Sequence, residues 1–295
     1  MAIPARNDVF HALDQGLAAA VAAAGPSVVH VSRGRSGGSG IAWAPDLVVT
    51  SSFHAPDHAR VGIPTADGEL AFHEAEVIGR DPGTDVALLR VTGAVLAPAT
   101  LRELAGLGVG NLALAIGRPG RSARASLRAI GVLGPEVRTP YGGRLEHYVE
   151  SDRQIPRGFA GGPLIDADGA VIGMNTRTLL RGADLAVPVA TLRRVVDELL
   201  VHGGVRRGYL GVGAYPATVP GHGRGALIAN LEDGGPAVAA GLFVGDVIVA
   251  LAGDPIEGPD DLREAIGDRA GEVVAIEVIR AGAKVALSAT LGSKP

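Results

Sequence analysis

The chain has 295 residues, room for two domains, and its balance of 47% hydrophobic to 20% charged residues excludes a disordered polypeptide. A formal charge of −4 with no basic run leaves no electrostatic footprint for nucleic-acid binding, and the absence of cysteine excludes disulfide frameworks, thiol chemistry and cysteine metal sites. Gly 44 and Pro 19 supply many turns, while only 3% aromatic residues leave an aliphatic core, a combination that favours a mainly β protein.

The first predicted element is an N-terminal helical segment over residues 1–26. Val9, Leu13, Leu17 and Val21 recur at i+4 spacing, and Gly25-Pro26 ends the pattern. The run Leu17 to Ala24 is preceded by Asp8 and Asp14, with Arg6 the only basic side chain, so it reads as a helix and not as a signal-peptide core. No run reads as a transmembrane span. The chain as written is therefore expected in the cytoplasm, and in the periplasm only if a leader has been removed.

From residue 27 to 203, short apolar runs alternate with turns: Val28 to Val31, Leu47 to Thr50, Val86 to Val91, Leu112 to Ile116 and Val171 to Met174. Runs at this spacing predict a sandwich or a barrel. A helix is predicted from Ala190 to Val201, with Leu192, Val195, Val196, Leu199 and Leu200 on one face and Gly203-Gly204 as its stop. A second, smaller unit occupies residues 208–292.

Six segments of the first unit carry a resemblance. They are Gly38-Ser39-Gly40-Ile41, Val48 to Phe53, Gly79 to Val91, Ala115 to Pro119, Gly158 to Leu164, and Asp168 to Thr176. In this order and at this spacing the unit resembles the HtrA (Deg) family of trypsin-like serine proteases, which implies a double β-barrel. Gly158-Phe159-Ala160-Gly161-Gly162-Pro163-Leu164 is similar to the family's nucleophile loop GNSGGPL, with Ala160 at the serine. The triad histidine position falls on Phe53 and the aspartate position on Asp85. A methyl group cannot attack a carbonyl, so no catalytic triad is intact.

The resemblance places the oxyanion donors, which are backbone N–H groups, at Gly158 and Ala160. Such donors survive loss of the serine side chain. Arg157 and Phe159 are foreign to the family loop. Beside Asp85 an aromatic ring is expected, with backbone N–H groups, Ser51 or Ser52 as hydrogen-bond donors that hold it as a structural residue. His54 follows Phe53 directly, and a one-residue bulge would bring its imidazole toward Asp85. Against that, adjacent residues of an extended chain point in different directions. His54 and His58 are spaced i, i+4, but no Glu follows the first and Pro56 interrupts the turn. They are read as loop histidines with no metal bound, and no cofactor is implied.

In the second unit, Arg207 to Val212, Gly235 to Leu242, Gly245 to Leu251 and Asp260 to Ile266 together resemble a PDZ domain, a small α+β fold. The resemblance implies capture of polypeptide or protein C-termini by strand addition. The loop Tyr209-Leu210-Gly211-Val212 would offer N–H groups to the terminal carboxylate, and Leu210, Val212 and Ile266 would line the apolar pocket. The alternative is that these residues only fill the core. Family members are commonly trimers assembled through N-terminal aromatic residues, so Phe10 is a candidate contact for a homo-oligomer or for a mixed oligomer with an active relative; the alternative is packing of that helix on the barrel of its own chain.

Three functions follow from these expectations. The first is an inactive, polypeptide-binding homologue that acts as a scaffold, chaperone-like protein or regulator. The second is an endopeptidase with a displaced group, pairing Ser51, Ser52 or Ser151 with His54. The third is a purely structural oligomer partner.

Overall fold

The computed structural model describes residues 6–33, 36–180, 183–267 and 269–294. The first five residues of the predicted N-terminal segment lie outside that set. The chain divides into two compact units, Met1–Gly204 and Val205–Pro295.

The first unit begins with α1 (Arg6–Ala24) and a 3-10 turn at Gly25–Ser27, where the Gly25-Pro26 pair stops the α-helix. Six strands follow: β1 (Val28–Arg33), β2 (Ser36–Ala44), β3 (Leu47–Ser51), β4 (His58–Pro64), β5 (Leu70–Asp81) and β6 (Val86–Val91). They close a barrel in the order β1-β2-β3-β6-β5-β4. Its interior is aliphatic, with Val29, Val31, Val48, Val61 and Leu89 buried against one another.

The second barrel uses β7 (Leu112–Gly117) and β8 (Arg124–Gly134), then, after the short β9 (Val137–Arg138) and β10 (Arg144–Leu145), β11 (Tyr148–Ser151), β12 (Pro163–Ile165), β13 (Val171–Leu180) and β14 (Ala183–Pro188). Its closed order is β11-β14-β13-β12-β7-β8. Every strand run predicted from the sequence lies within one of these strands. Closure leaves no unpaired edge, which is how a β-rich chain of this size avoids edge-to-edge association.

The predicted helix is α2 (Val189–His202). Leu192, Val195, Val196 and Leu199 are buried, whereas Leu200 is exposed, so the apolar face is one residue narrower than its pattern suggested. Gly203 ends the helix at φ 70°, with its N–H on the Leu199 carbonyl at 2.9 Å.

The second unit has β15 (Arg207–Tyr209), β16 (Val212–Val219), β17 (Gly223–Leu231), α3 (Pro236–Ala239), β18 (Val247–Leu251), β19 (Asp254–Pro255), α4 (Pro259–Ile266), β20 (Val273–Arg280), β21 (Ala283–Thr290) and β22 (Gly292–Lys294). Its main sheet runs β16-β17-β18-β20-β21, which puts β16 on an edge. Leu210, Ile228, Leu262, Ile266 and Ile276 meet in its core. The molecule is thus mainly β, two six-stranded barrels followed by a smaller α+β unit. Among the described residues no helix is long and apolar enough to cross a membrane.

Candidate functional site

The end of β3 turns sharply. The Ser51 carbonyl accepts the His54 N–H at 3.1 Å and the Ala55 N–H at 2.9 Å, so residues 51–55 form one helical turn. Side chains three apart in such a turn share a face, and the residue between them points elsewhere. Ser51 and His54 accordingly come together, with Ser51 Oγ 2.9 Å from His54 Nδ1. Phe53 is 40% exposed, and its ring tilts against Tyr141 at 5.9 Å between centroids. The sequence had placed an aromatic ring beside Asp85; what the turn brings to that carboxylate is the Phe53 N–H, at 3.1 Å.

Asp85 is fully buried at the β5–β6 connection, with φ 58°. Its carboxylate is surrounded by donors. Ser51 Oγ lies 2.8 and 2.9 Å from its two oxygens, Ser52 Oγ 3.3 Å from one, and Thr176 Oγ1 2.6 Å from the other. An ionised carboxylate is an acceptor only, so every one of these hydroxyls donates to it. Thr176 was missed as a partner because β13 brings it from 91 residues away. Ser51 and Ser52, raised as displaced nucleophiles, are both buried with their hydroxyls aimed at Asp85. The third candidate, Ser151, donates to the Arg153 carbonyl.

The loop carrying Ala160 is a tight turn held by backbone contacts. Gly158 and Gly161 have φ of 83° and 82°, a region that glycine enters without a Cβ penalty. A methyl group on Gly161 would come within 2.3 Å of the Ser39 carbonyl oxygen, so only glycine fits. Ser39, read from the sequence only as part of the Gly38–Ile41 segment, braces the turn from β2. Its hydroxyl donates to the Gly158 carbonyl at 2.6 Å and accepts the Arg118 N–H at 2.7 Å, while its N–H reaches the Ala160 carbonyl at 3.3 Å. Phe159 is 3% exposed and sits in the second barrel's core with Ile130, Leu164 and Ile172. A methyl group on Gly117 would lie 2.7 Å from its ring, so Gly117 leaves the room that Phe159 fills. With both neighbouring carbonyls engaged, the N–H groups of Gly158 and Ala160 donate to no acceptor among the described residues.

In the second unit, Gly211 sits at φ 80° and the Tyr209 ring lies against it, with the hydroxyl 3.4 Å from where a Cβ would be. The carbonyls of Leu210 and Gly211 accept from Ala237 and Glu232, at 2.8 and 2.9 Å. The N–H groups of Leu210 and Gly211 have no acceptor among the described residues. Leu210 and Ile266 are buried in the core, while Val212 is partly buried against it. The expected lining residues therefore form a floor more than an open wall.

Comparison with known proteins matches residues 38–174 to a trypsin-like peptidase domain and residues 208–291 to a PDZ domain. The chain carries an HtrA-type trypsin-like domain and one PDZ domain. Relatives named "Probable periplasmic serine endoprotease DegP-like" include one from Pseudomonas putida, 33% identical over 276 residues. Another, from Brucella suis, is 31% identical over 280 residues. The alignments cover 88% of this chain but 56% and 53% of those proteins, so the chain spans about half their length. Among solved structures, the HtrA-type protease AlgW with a decapeptide superposes with a TM-score of 0.71 at 25% identity, covering 95% of this chain and 99% of that one. The same protease with a tripeptide gives 0.67 at 29% identity, covering 95% and 97%. One expectation is corrected: the chain was placed in the cytoplasm, whereas these relatives are named periplasmic.

Proposed function

We propose that the chain is an HtrA-like protein of the periplasm that holds polypeptides without hydrolysing them. The observation that carries this reading is the turn at Ala160. Its geometry leaves the Gly158 and Ala160 N–H groups without acceptors among the described residues, while the side chain at position 160 is a methyl group. Backbone donors left without acceptors at the position of the family's oxyanion loop support docking of a peptide carbonyl. Loss of the attacking hydroxyl costs on the order of a million-fold in turnover. Ser51, Ser52 and Ser151 are all engaged elsewhere, which argues against a displaced nucleophile.

The PDZ domain is the second holding site. Strand addition needs a sheet edge next to a carboxylate-binding loop, and β16 is that edge directly after Leu210-Gly211. AlgW, solved with peptides, supports the same use here. Phe10 on the exposed face of α1 suits assembly into a homotrimer or a mixed oligomer with an active relative.

Peptide binding tests the PDZ reading. A library of free-carboxylate peptides should contain binders, and amidating the terminus of a binder should weaken it at least about tenfold through loss of the charge-assisted bonds. Equal binding of acid and amide forms, or no binder at all, would favour a purely structural partner.

A further inference from the structure

Arg118, the first residue after β7, is buried with all its polar groups engaged. Its Nε donates to the Val28 carbonyl at 2.6 Å, and its two terminal nitrogens donate to the carbonyls of Arg121 at 2.8 Å and Gly25 at 3.1 Å. All three acceptors are neutral, and the guanidinium makes no ion pair among the described residues. The Arg118 N–H donates to Ser39 Oγ at 2.7 Å. Its carbonyl lies 2.9 Å from His30 Nδ1, which carries a proton because a carbonyl only accepts. Burying a cation without a carboxylate costs free energy, and burial draws the pKa of this one down. Such a residue is a poor source of stability, so what it fixes in place is the better measure of its use.

Arg118 joins two parts of the first unit that are far apart in sequence. On one side stands the foot of α1. The helix is exposed along residues 8–16 and is buried at Ala20 and Ala24, just before Gly25 and Val28. Ser27 closes this foot, its hydroxyl donating to the Ala24 carbonyl at 2.8 Å. On the other side stands the turn at Ala160. The Ser39 hydroxyl that accepts the Arg118 N–H donates to the Gly158 carbonyl at 2.6 Å. Pro119 lies against the same residue, since a methyl group on Gly158 would come within 2.4 Å of Pro119 Cβ. Glycine at φ 83° has no Cβ to restrict it, so these outside contacts hold it.

We propose that Arg118 is a positioning residue of the Ala160 turn, and that through it the foot of α1 regulates what the turn holds. With the Gly25 and Val28 carbonyls on the guanidinium, residues 118 and 119 brace Gly158, and the turn takes a peptide carbonyl. With the foot displaced, Arg118 shifts, the brace slackens and holding at the turn weakens. The inference rests on the preceding reading of the Ala160 turn as a carbonyl cradle.

The test uses the full chain and a set of fluorescein-labelled casein peptides amidated at their C-termini, which offer the PDZ loop no carboxylate, with anisotropy as the readout. Arg118→Met removes every side-chain donor and should weaken binding at least about tenfold. Ser27→Ala slackens only the foot and should weaken binding about threefold. It should add nothing in the Arg118→Met background, because both act along one path. A merely structural role would give losses that add. Undiminished binding by Arg118→Met, or additive losses in the double variant, would overturn the proposal and leave the cradle standing. No binding of any of these peptides by the wild type would overturn both. A second measurement needs no variant. Coupling is reciprocal, so the bound peptide should slow amide hydrogen exchange at residues 24–28 as well as at 158–161. Protection at 158–161 with none at 24–28 would overturn the proposal.

Discussion

Two buried carboxylates of this chain are held in opposite ways. Asp85 is satisfied by hydroxyls and one N–H, with no cation bonded to it among the described residues. Asp246, in the PDZ domain, is held by Arg280, whose two nitrogens each lie 2.8 Å from a carboxylate oxygen, and by the Phe243 N–H at 2.8 Å. Burial pushes the Asp246 carboxyl up, but the Arg280 and Phe243 bonds outweigh it and hold the group below its ordinary 3.8. A depressed folded pKa contributes stability above the unfolded value that disappears as pH falls through the folded one. Arg280→Met should therefore destabilise the PDZ domain by about 1.5–3 kcal/mol at neutral pH. Urea melts should show that difference shrinking as pH falls below 3.8. A deficit independent of pH would mean that Arg280 acts through packing on Phe243 alone.

At the scale of elements, the strands and α2 were legible because their burial periodicity is local. A run such as Val86 to Val91 or the 192, 195, 196, 199 stripe needs no partner to be recognised. The turn at 51–55 was not legible in this way. Treating 53 and 54 as neighbours on an extended chain sends them to opposite faces, and a bulge was thought necessary to rescue His54. The i to i+3 bond at Ser51 brings His54 to the Ser51 hydroxyl instead, while the donors to Asp85 come from Ser51, Ser52, Thr176 and the Phe53 N–H. Phe159 shows the same limit. The sequence marked it as foreign to its loop, but the space beside Gly117 exists only once β7 and the loop are packed. The ring is therefore the loop's anchor. Phe159→Ala should cost about 3–5 kcal/mol in chemical denaturation. It should also weaken any peptide held at residue 160 without touching PDZ binding. A cost below about 1 kcal/mol would show that the ring is not packed as described.

For the molecule as a whole, the double barrel and PDZ domain could be read from six ordered segments and four more, and the comparisons agree. What the segments could not supply was context. Nothing local distinguishes Ser39 as the brace of the loop or Thr176 as a donor to Asp85, since each acts across the chain. Compartment failed differently: the N-terminal run was read as a helix and not as a signal-peptide core, which pointed to the cytoplasm, and the relatives named periplasmic overturn that expectation. The central claim is that a protease scaffold here holds chains it cannot cut. The most direct measurement follows fluorescein-labelled unfolded casein incubated with the full-length protein, reading anisotropy and fragment release in one sample. Saturable anisotropy with no fragments above a protein-free control is the expected result. Fragment release that survives inhibitors of contaminating proteases and vanishes in Asp85→Ala would contradict it.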